Sequence, residues 1–102
     1  MNDVDIPNKE ELIRVMRENH IVFAAIFGSR AKGTAKPDSD YDFLVEFDPK
    51  AQVGLFEFVR AKDKIQSIVD GEIDLVTVKG ISPFIKEDVI NTMRVIYGQR
   101  QR

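Results

Sequence analysis

Cysteine is absent from this chain, which excludes both a disulfide framework and a thiolate metal site. No apolar run approaches membrane-spanning length, and the stretch from Met1 to Glu10 is polar rather than signal-like, so a cytoplasmic location is expected. A basic excess is missing too. The formal net charge is −2, and the one basic cluster, Arg100-Gln101-Arg102, is short. Phosphate contacts dominate nucleic-acid affinity, so direct nucleic-acid binding is not expected. Internal repeats and low-complexity linkers are also lacking. The 102 residues fit one domain, 1–102, and a domain of that size buries one modest core rather than a deep enclosed pocket.

Within those bounds the chain alternates two hydrophobic patterns. Pro7 through Glu18 has helical spacing, with Asn8 as a candidate cap, Glu10 and Glu11 in the first turn, and Leu12, Val15 and Met16 on one face. Ile21 to Phe27 (IVFAAIF) is a continuous apolar run, the pattern of a buried strand. Gly28 to Asp40 is dense in small, basic and turn-forming residues, and Ser29 to Lys32 could open a short helix there. Tyr41 to Phe47 (YDFLVEF) forms a second strand. Gln52 to Val69 is the longest helix, with Leu55, Phe56, Val59, Ile65, Ile68 and Val69 near one stripe. Glu72 to Val78 (EIDLVTV) is a third strand. Pro83 suits the first turn of a last helix carrying Phe84, Ile85, Val89, Met93 and Ile96. The expected fold is therefore α+β, a two-layer arrangement of a small mixed three-stranded sheet with helices, ordered αβαβαβα.

Acidic residues interrupt two of these apolar strands. Asp42 and Asp74 lie inside them, and Asp40 stands at the mouth of the second strand. A carboxylate is disfavoured in a strand and costly to bury unless paired or bound to metal. Asp40 and Asp42 are two apart, so they share one face, while Tyr41 and Phe43 take the other. Two adjacent carboxylates repel, and a divalent cation makes such an arrangement favourable. Magnesium suits it, since it takes a couple of carboxylates together with phosphate and water oxygens. If the long helix joins strands two and three as a parallel crossover, Asp74 comes level with the pair. If strand one runs antiparallel to strand two, Gly28 and Ser29 arrive at the same end. Gly28 permits close backbone approach, Ser29 offers a hydroxyl and amides to a phosphate, and Arg30 and Lys32 add positive charge.

Two other motif readings fail. Gly28 and Gly33 have P-loop spacing, but Thr34 stands where the P-loop lysine belongs. Asp38, Asp40 and Asp42 begin like a calcium loop, yet Phe43 and Pro49 occupy its glycine and glutamate positions.

Gly28-Ser29 followed by Asp40-Tyr41-Asp42, with Asp74 in a later strand, resembles the signature of the polymerase β-type nucleotidyltransferase superfamily. The string GSRAKGTAKPDSDYDFLVEF is most similar to its minimal nucleotidyltransferase (MNT) branch. The resemblance implies a polymerase β-like fold, with Asp40, Asp42 and Asp74 as catalytic and metal-binding residues holding two magnesium ions. It further implies that Gly28 and Ser29 bind the β and γ phosphates of ATP, assisted by Arg30, and that Asp74 favours deprotonation of an incoming hydroxyl. MNT proteins are frequently antitoxins that transfer AMP from ATP to a tyrosine of a HEPN-type toxin, so a hetero-oligomer with such a partner is expected. Occlusion of the toxin without catalysis, and nucleotidyl transfer to a small molecule, are the alternatives.

The remaining residues carry plainer roles. Thr34, Lys36 and Ser39 are expected to be loop residues, Asp38 a turn residue and His20 a helix-end residue. Tyr41 is expected in the core rather than stacked on a base, and Tyr97 in the core or on a partner surface. Phe56 and Phe58 straddle the long helix, so both cannot be core, and an exposed one hints at a partner interface.

Overall fold

The computed structural model describes residues 6–69 and 71–99, and its elements run αβαβαβαβ. Helix α1 is Lys9–Glu18, β1 is Ile21–Phe27, the short α2 is Ser29–Lys32 and β2 is Tyr41–Phe47. They are followed by α3 at Leu55–Ile68, β3 at Ile73–Thr77, α4 at Pro83–Thr92 and β4 at Arg94–Gly98. The four strands form one sheet in the order β3-β2-β1-β4. β1 runs antiparallel to both β2 and β4, whereas β2 and β3 are parallel, joined by α3 as the crossover. The mixed sheet, with β1 antiparallel to β2 and β2 parallel to β3, is as expected from the sequence, with one strand more.

That extra strand corrects the three-stranded expectation. The last helix stops at Thr92 instead of continuing to Ile96, and Arg94–Gly98 pairs with β1. Without β4, the apolar β1 would lie at an edge with its backbone groups unpaired on one side. Val95, Ile96 and Tyr97 have the β-branched and aromatic side chains that strands favour. Gly98 makes the pairing possible: its φ is 80°, and a Cβ there would lie 2.0 Å from the Val22 carbonyl oxygen. The Tyr97 hydroxyl donates to the Ile21 carbonyl, and the Arg17 guanidinium lies 5.2 Å from the Tyr97 ring centre.

Two smaller departures concern the helices. Asn8 precedes α1 in a left-handed conformation without a capping side-chain bond, and its amide instead donates to the Ile68 carbonyl at 3.3 Å. α3 starts at Leu55 rather than Gln52, where Gly54 N–H donates to the Glu57 carboxylate at 2.8 Å in a capping box. Its expected stripe divides. Ile65 and Val69 are buried, but Leu55, Phe56 and Val59 are 79 %, 81 % and 44 % exposed. Phe58 turns inward to Phe47, with ring centres 6.1 Å apart, so the adjacent Phe56 points away.

The sheet carries a core on each face. On one side Leu12 and Met16 of α1 and Ile65 of α3 pack with Ala24, Ile26, Tyr41, Phe43 and Val45. On the other a smaller cluster joins Phe23, Ala25 and Leu44 to Ile81 and Val89. No helix among the described residues is long and apolar enough to cross a membrane.

Candidate functional site

β1 ends at Phe27, and the chain turns at Gly28 directly into α2. Gly28 has φ 74° and ψ −151°, a combination open to glycine and strained for other residues. A Cβ on Gly28 would sit 2.3 Å from Oδ2 of Asp42. Absence of a side chain therefore lets the backbone turn lie against that carboxylate. The first turn of α2 follows, where amides have no intrahelical acceptor. Ala31 and Lys32 N–H groups close onto the Gly28 carbonyl, both at 3.1 Å, and the Ser29 carbonyl accepts from Thr34 N–H at 3.0 Å.

The strand registers place the carboxylates. Phe27 is opposite Asp42, and Asp42 is opposite Asp74, so a single row crosses from the end of β1 to β3. Alternation sets Asp42 and Asp74 on the face of Leu44 and Val76, the thinner of the two cores. Asp40, two residues before Asp42, projects to that side as the strand begins. Tyr41 and Phe43 occupy the opposite face, stacked with ring centres 6.2 Å apart and planes 9° from parallel. The sequence thus brings Gly28, Ser29, Asp40, Asp42 and Asp74 to one end of the sheet.

Asp42 is half-buried, whereas Asp40 and Asp74 are exposed. Partial burial pushes the Asp42 carboxyl above the ordinary aspartate value, and the neighbouring charges of Asp74 and then Asp40 push it further. A cation at that place would reverse the effect on Asp42, because it favours the ionised carboxylate. Among the described residues no group of three or more acidic, histidine or cysteine side chains is arranged to hold a metal ion by itself. The arrangement is an open one. It fits an ion that keeps water and substrate oxygens in its shell, as magnesium does.

Arg30, expected beside the phosphates, has its guanidinium engaged elsewhere. Nη2 and Nε donate to the Ser39 carbonyl at 2.7 and 3.3 Å, and Nη2 makes a longer contact, 3.5 Å, to the Pro37 carbonyl. The same group lies 3.8 Å from the Tyr41 ring centre. The loop it holds is a tight turn at Pro37 and Asp38. Lys36 and Ser39 close that turn with a 3.0 Å backbone bond and a 2.9 Å bond from Lys36 N–H to the Ser39 hydroxyl.

Two residues overlooked in the sequence anchor α2. Arg94 of β4 donates through Nε to the Ala31 carbonyl at 2.8 Å. Asp88 of α4 pairs with Lys32 at 3.5 Å, an exposed ion pair of small energetic weight. Only a recognised strand at Arg94–Gly98 would have put Arg94 next to β1, and RVIYG carries that signal in its β-branched and aromatic residues. His20 lies at the far end of β1, where its carbonyl accepts from Asp48 N–H at 2.8 Å. It stands apart from the carboxylates, as expected of a helix-end residue.

Comparison with known proteins bears on the family and the fold. The family described as "Polymerase beta, Nucleotidyltransferase" matches residues 10–102. A Methanocaldococcus jannaschii protein, named as a candidate protein adenylyltransferase, is 32 % identical over 83 residues, which cover 81 % of this chain and 87 % of the relative. Among solved structures, a chain of a toxin–antitoxin complex with AMP-PNP superposes with a TM-score of 0.74 at 23 % identity, covering 91 % of this chain and 75 % of that one. A chain of the complex between the tri-AMPylated HEPN toxin of Shewanella oneidensis and its MNT antitoxin gives 0.66 at 20 % identity, covering 90 % and 71 %. At such identities these structures establish the shared fold. The extent of the family match and the identity to the M. jannaschii protein go further: the chain belongs to the polymerase β-type nucleotidyltransferase family.

Proposed function

We propose that this chain is a magnesium-dependent protein adenylyltransferase acting in the cytoplasm as a single domain, 1–102. It transfers AMP from ATP to a hydroxyl, a tyrosine's, of a HEPN-type toxin and thereby inactivates it. The observation that carries this reading is the row from the Gly28 turn through Asp42 to Asp74, with Asp40 beside it. A phosphate-accepting turn against paired carboxylates is what a nucleoside triphosphate with its metal requires. The protein-adenylyltransferase name of the M. jannaschii relative, and the AMP-PNP and AMPylated toxin in the structural neighbours, support ATP as donor and a toxin as acceptor.

In this reading Gly28 and Ser29 receive the β and γ phosphates on backbone amides and the Ser29 hydroxyl, and Arg30 supports the same turn. Asp40 and Asp42 would hold magnesium, joined by Asp74. Bound there, magnesium neutralises the triphosphate's charge and makes the α-phosphorus more electrophilic. The acceptor oxygen attacks the α-phosphorus in line, and a new O–P bond forms as the bond to the bridging oxygen of the β-phosphate breaks. Asp74 favours loss of the hydroxyl proton, and pyrophosphate leaves.

The test is to incubate the purified chain with magnesium, α-labelled ATP and a HEPN-type toxin from the same organism. Label should appear on the toxin and fall by about a hundredfold or more in the Asp40→Ala/Asp42→Ala variant. An unlabelled toxin that binds wild type and variant equally, and is silenced by both, would replace this reading with simple occlusion.

A further inference from the structure

We infer that Arg30 acts as a positioning residue, a strap that fixes the entry of β2 and with it Asp40 and Asp42, rather than as a ligand of the nucleotide. The inference rests on the adenylyltransferase reading for its consequence, but its structural part stands on geometry alone. Asp40 and Asp42 project from one face of β2, and Tyr41 from the other. The Arg30 guanidinium lies 3.8 Å from the Tyr41 ring centre, so it covers the side of the strand facing away from the carboxylates. Its donors are turned to main-chain oxygens, the Ser39 carbonyl at 2.7 and 3.3 Å and the Pro37 carbonyl at 3.5 Å. Ser39 immediately precedes Asp40.

Three anchors therefore meet around Asp40. Arg30 holds the carbonyl before it, and the ring after it lies against the Arg30 guanidinium and is stacked with Phe43. The Tyr41 amide donates to the Glu72 carbonyl at 2.9 Å, just before β3. Arg30 is itself in α2, the helix that the Gly28 turn begins. One side chain thus ties the turn assigned to the phosphates to the loop that delivers the carboxylates, and keeps the distance between them constant. A planar guanidinium can stack on a ring and bond a carbonyl through two nitrogens simultaneously. A lysine ammonium brings the same charge but not that shape. The distinction between strap and phosphate ligand is therefore open to a charge-preserving substitution.

The experiment compares Arg30→Lys and Arg30→Ala with wild type, with Tyr41→Phe as the variant that keeps the ring. Thermal melts come first, and amides of β1 serve as the internal reference for intact folding. Hydrogen exchange of the Ser39 and Tyr41 amides is then followed in the protein without nucleotide. As a strap, Arg30 should slow local opening, so both Arg30 variants should exchange at these amides about tenfold faster than wild type while β1 is unchanged. Tyr41→Phe should match wild type. In AMP transfer, both Arg30 variants should need about tenfold more magnesium for half-maximal rate, with the KM for ATP at saturating magnesium nearly unchanged. Arg30→Lys would be no better than Arg30→Ala. Wild-type exchange in both Arg30 variants would overturn the inference. So would a raised KM for ATP in Arg30→Ala that Arg30→Lys restores, the pattern of a direct phosphate contact. If the wild-type chain transfers no AMP, the adenylyltransferase reading fails by itself, and the exchange measurement still decides whether Arg30 straps the loop.

Discussion

Replacing Asp42 by asparagine separates the residue's burden on the fold from the part in the reaction proposed for it. Asp42 faces Asp74 across the parallel pair β2/β3 and shares its side of the strand with Asp40. Adjacent strands are about 4.8 Å apart, which puts facing carboxylates roughly 5–6 Å from each other. Two unit charges at that separation repel by about 0.7 kcal/mol in bulk water and about 3 kcal/mol at an effective dielectric of 20. Asp40 and Asp74 are exposed, so screening favours the low end. Summed with the partial burial of Asp42, the relief in Asp42→Asn is about 1 kcal/mol, or about 4–8 °C in melting temperature for a domain of this size. Thermal melts with a chelator at pH 7 should therefore rank the variant above wild type. With magnesium and ATP the order should narrow or invert if the proposed site holds, because ligand binding would then stabilise only the protein that retains the carboxylate. A variant that melts below wild type without metal would refute the repulsion argument.

The pH dependence of that difference has a defined sign. The folded Asp42 carboxyl titrates above its ordinary value of 3.8, so the folded state holds the proton more tightly than the unfolded chain. The associated stability is complete below pH 3.8 and is lost as pH rises through the folded value. Wild type and Asp42→Asn should accordingly differ most near neutrality and converge in acid. Melts repeated from pH 7 downward would show the gap closing.

Other substitutions test different parts of the fold. Gly28→Ala forces a side chain into a glycine-only conformation against Asp42 and should lose about 1–3 kcal/mol in urea denaturation together with AMP transfer. Tyr97→Phe removes the hydrogen bond to Ile21 and should cost about 1 kcal/mol at pH 7. Burial raises the Tyr97 hydroxyl from 10.0 to about 12, so its share of stability is present below pH 10.0 and is lost as pH climbs to about 12. The tyrosinate absorbance arising near pH 12 should vanish in the variant. Phe43→Ala, at a position with no exposure, should cost about 3–5 kcal/mol. Phe56→Ser should stay within about 0.5 kcal/mol of wild type by the same urea midpoints.

The placement of the candidate site residues was more legible in the sequence than the sheet was. Asp40 and Asp42 are readable because a strand alternates rigidly, so a spacing of two fixes a common face without knowledge of the fold. Asp74 needed only the parallel crossover to come level with them. β4 was not readable by the same means. Val89, Met93 and Ile96 are spaced by four and three residues, a helical stripe that continues smoothly past Thr92. The competing strand is decided by a distant partner, the open edge of β1, which local periodicity does not contain. Leu55 and Phe56 misled for the opposite reason. They fit the stripe of α3, but that stripe has nothing to bury them at its first turn. The role of Arg30 depended on the third dimension altogether, because a guanidinium beside a phosphate turn and one stacked on Tyr41 leave the same trace in sequence.

Strand β2 explains how so small a sheet tolerates the carboxylates. Tyr41, Phe43 and Val45 are 4 % exposed or less and belong to the larger core, packed beneath α1 and α3. Asp40 and Asp42 hang from the other side of the same strand, where the core is thinner and water reaches Asp40. Apolar burial stabilises by about 1.5–3 kcal/mol for each large side chain, whereas the mutual repulsion of the acids is about 1 kcal/mol. The strand is therefore held in register from its apolar face whatever the charge state of its acidic face. That asymmetry allows the carboxylates to remain close together without a cation, since their repulsion acts on a backbone whose position is already determined by Tyr41 and Phe43. It also predicts where the arrangement would yield first: at the loop before Asp40, which has no apolar anchor of its own and is held by Arg30 and the Lys36–Ser39 turn.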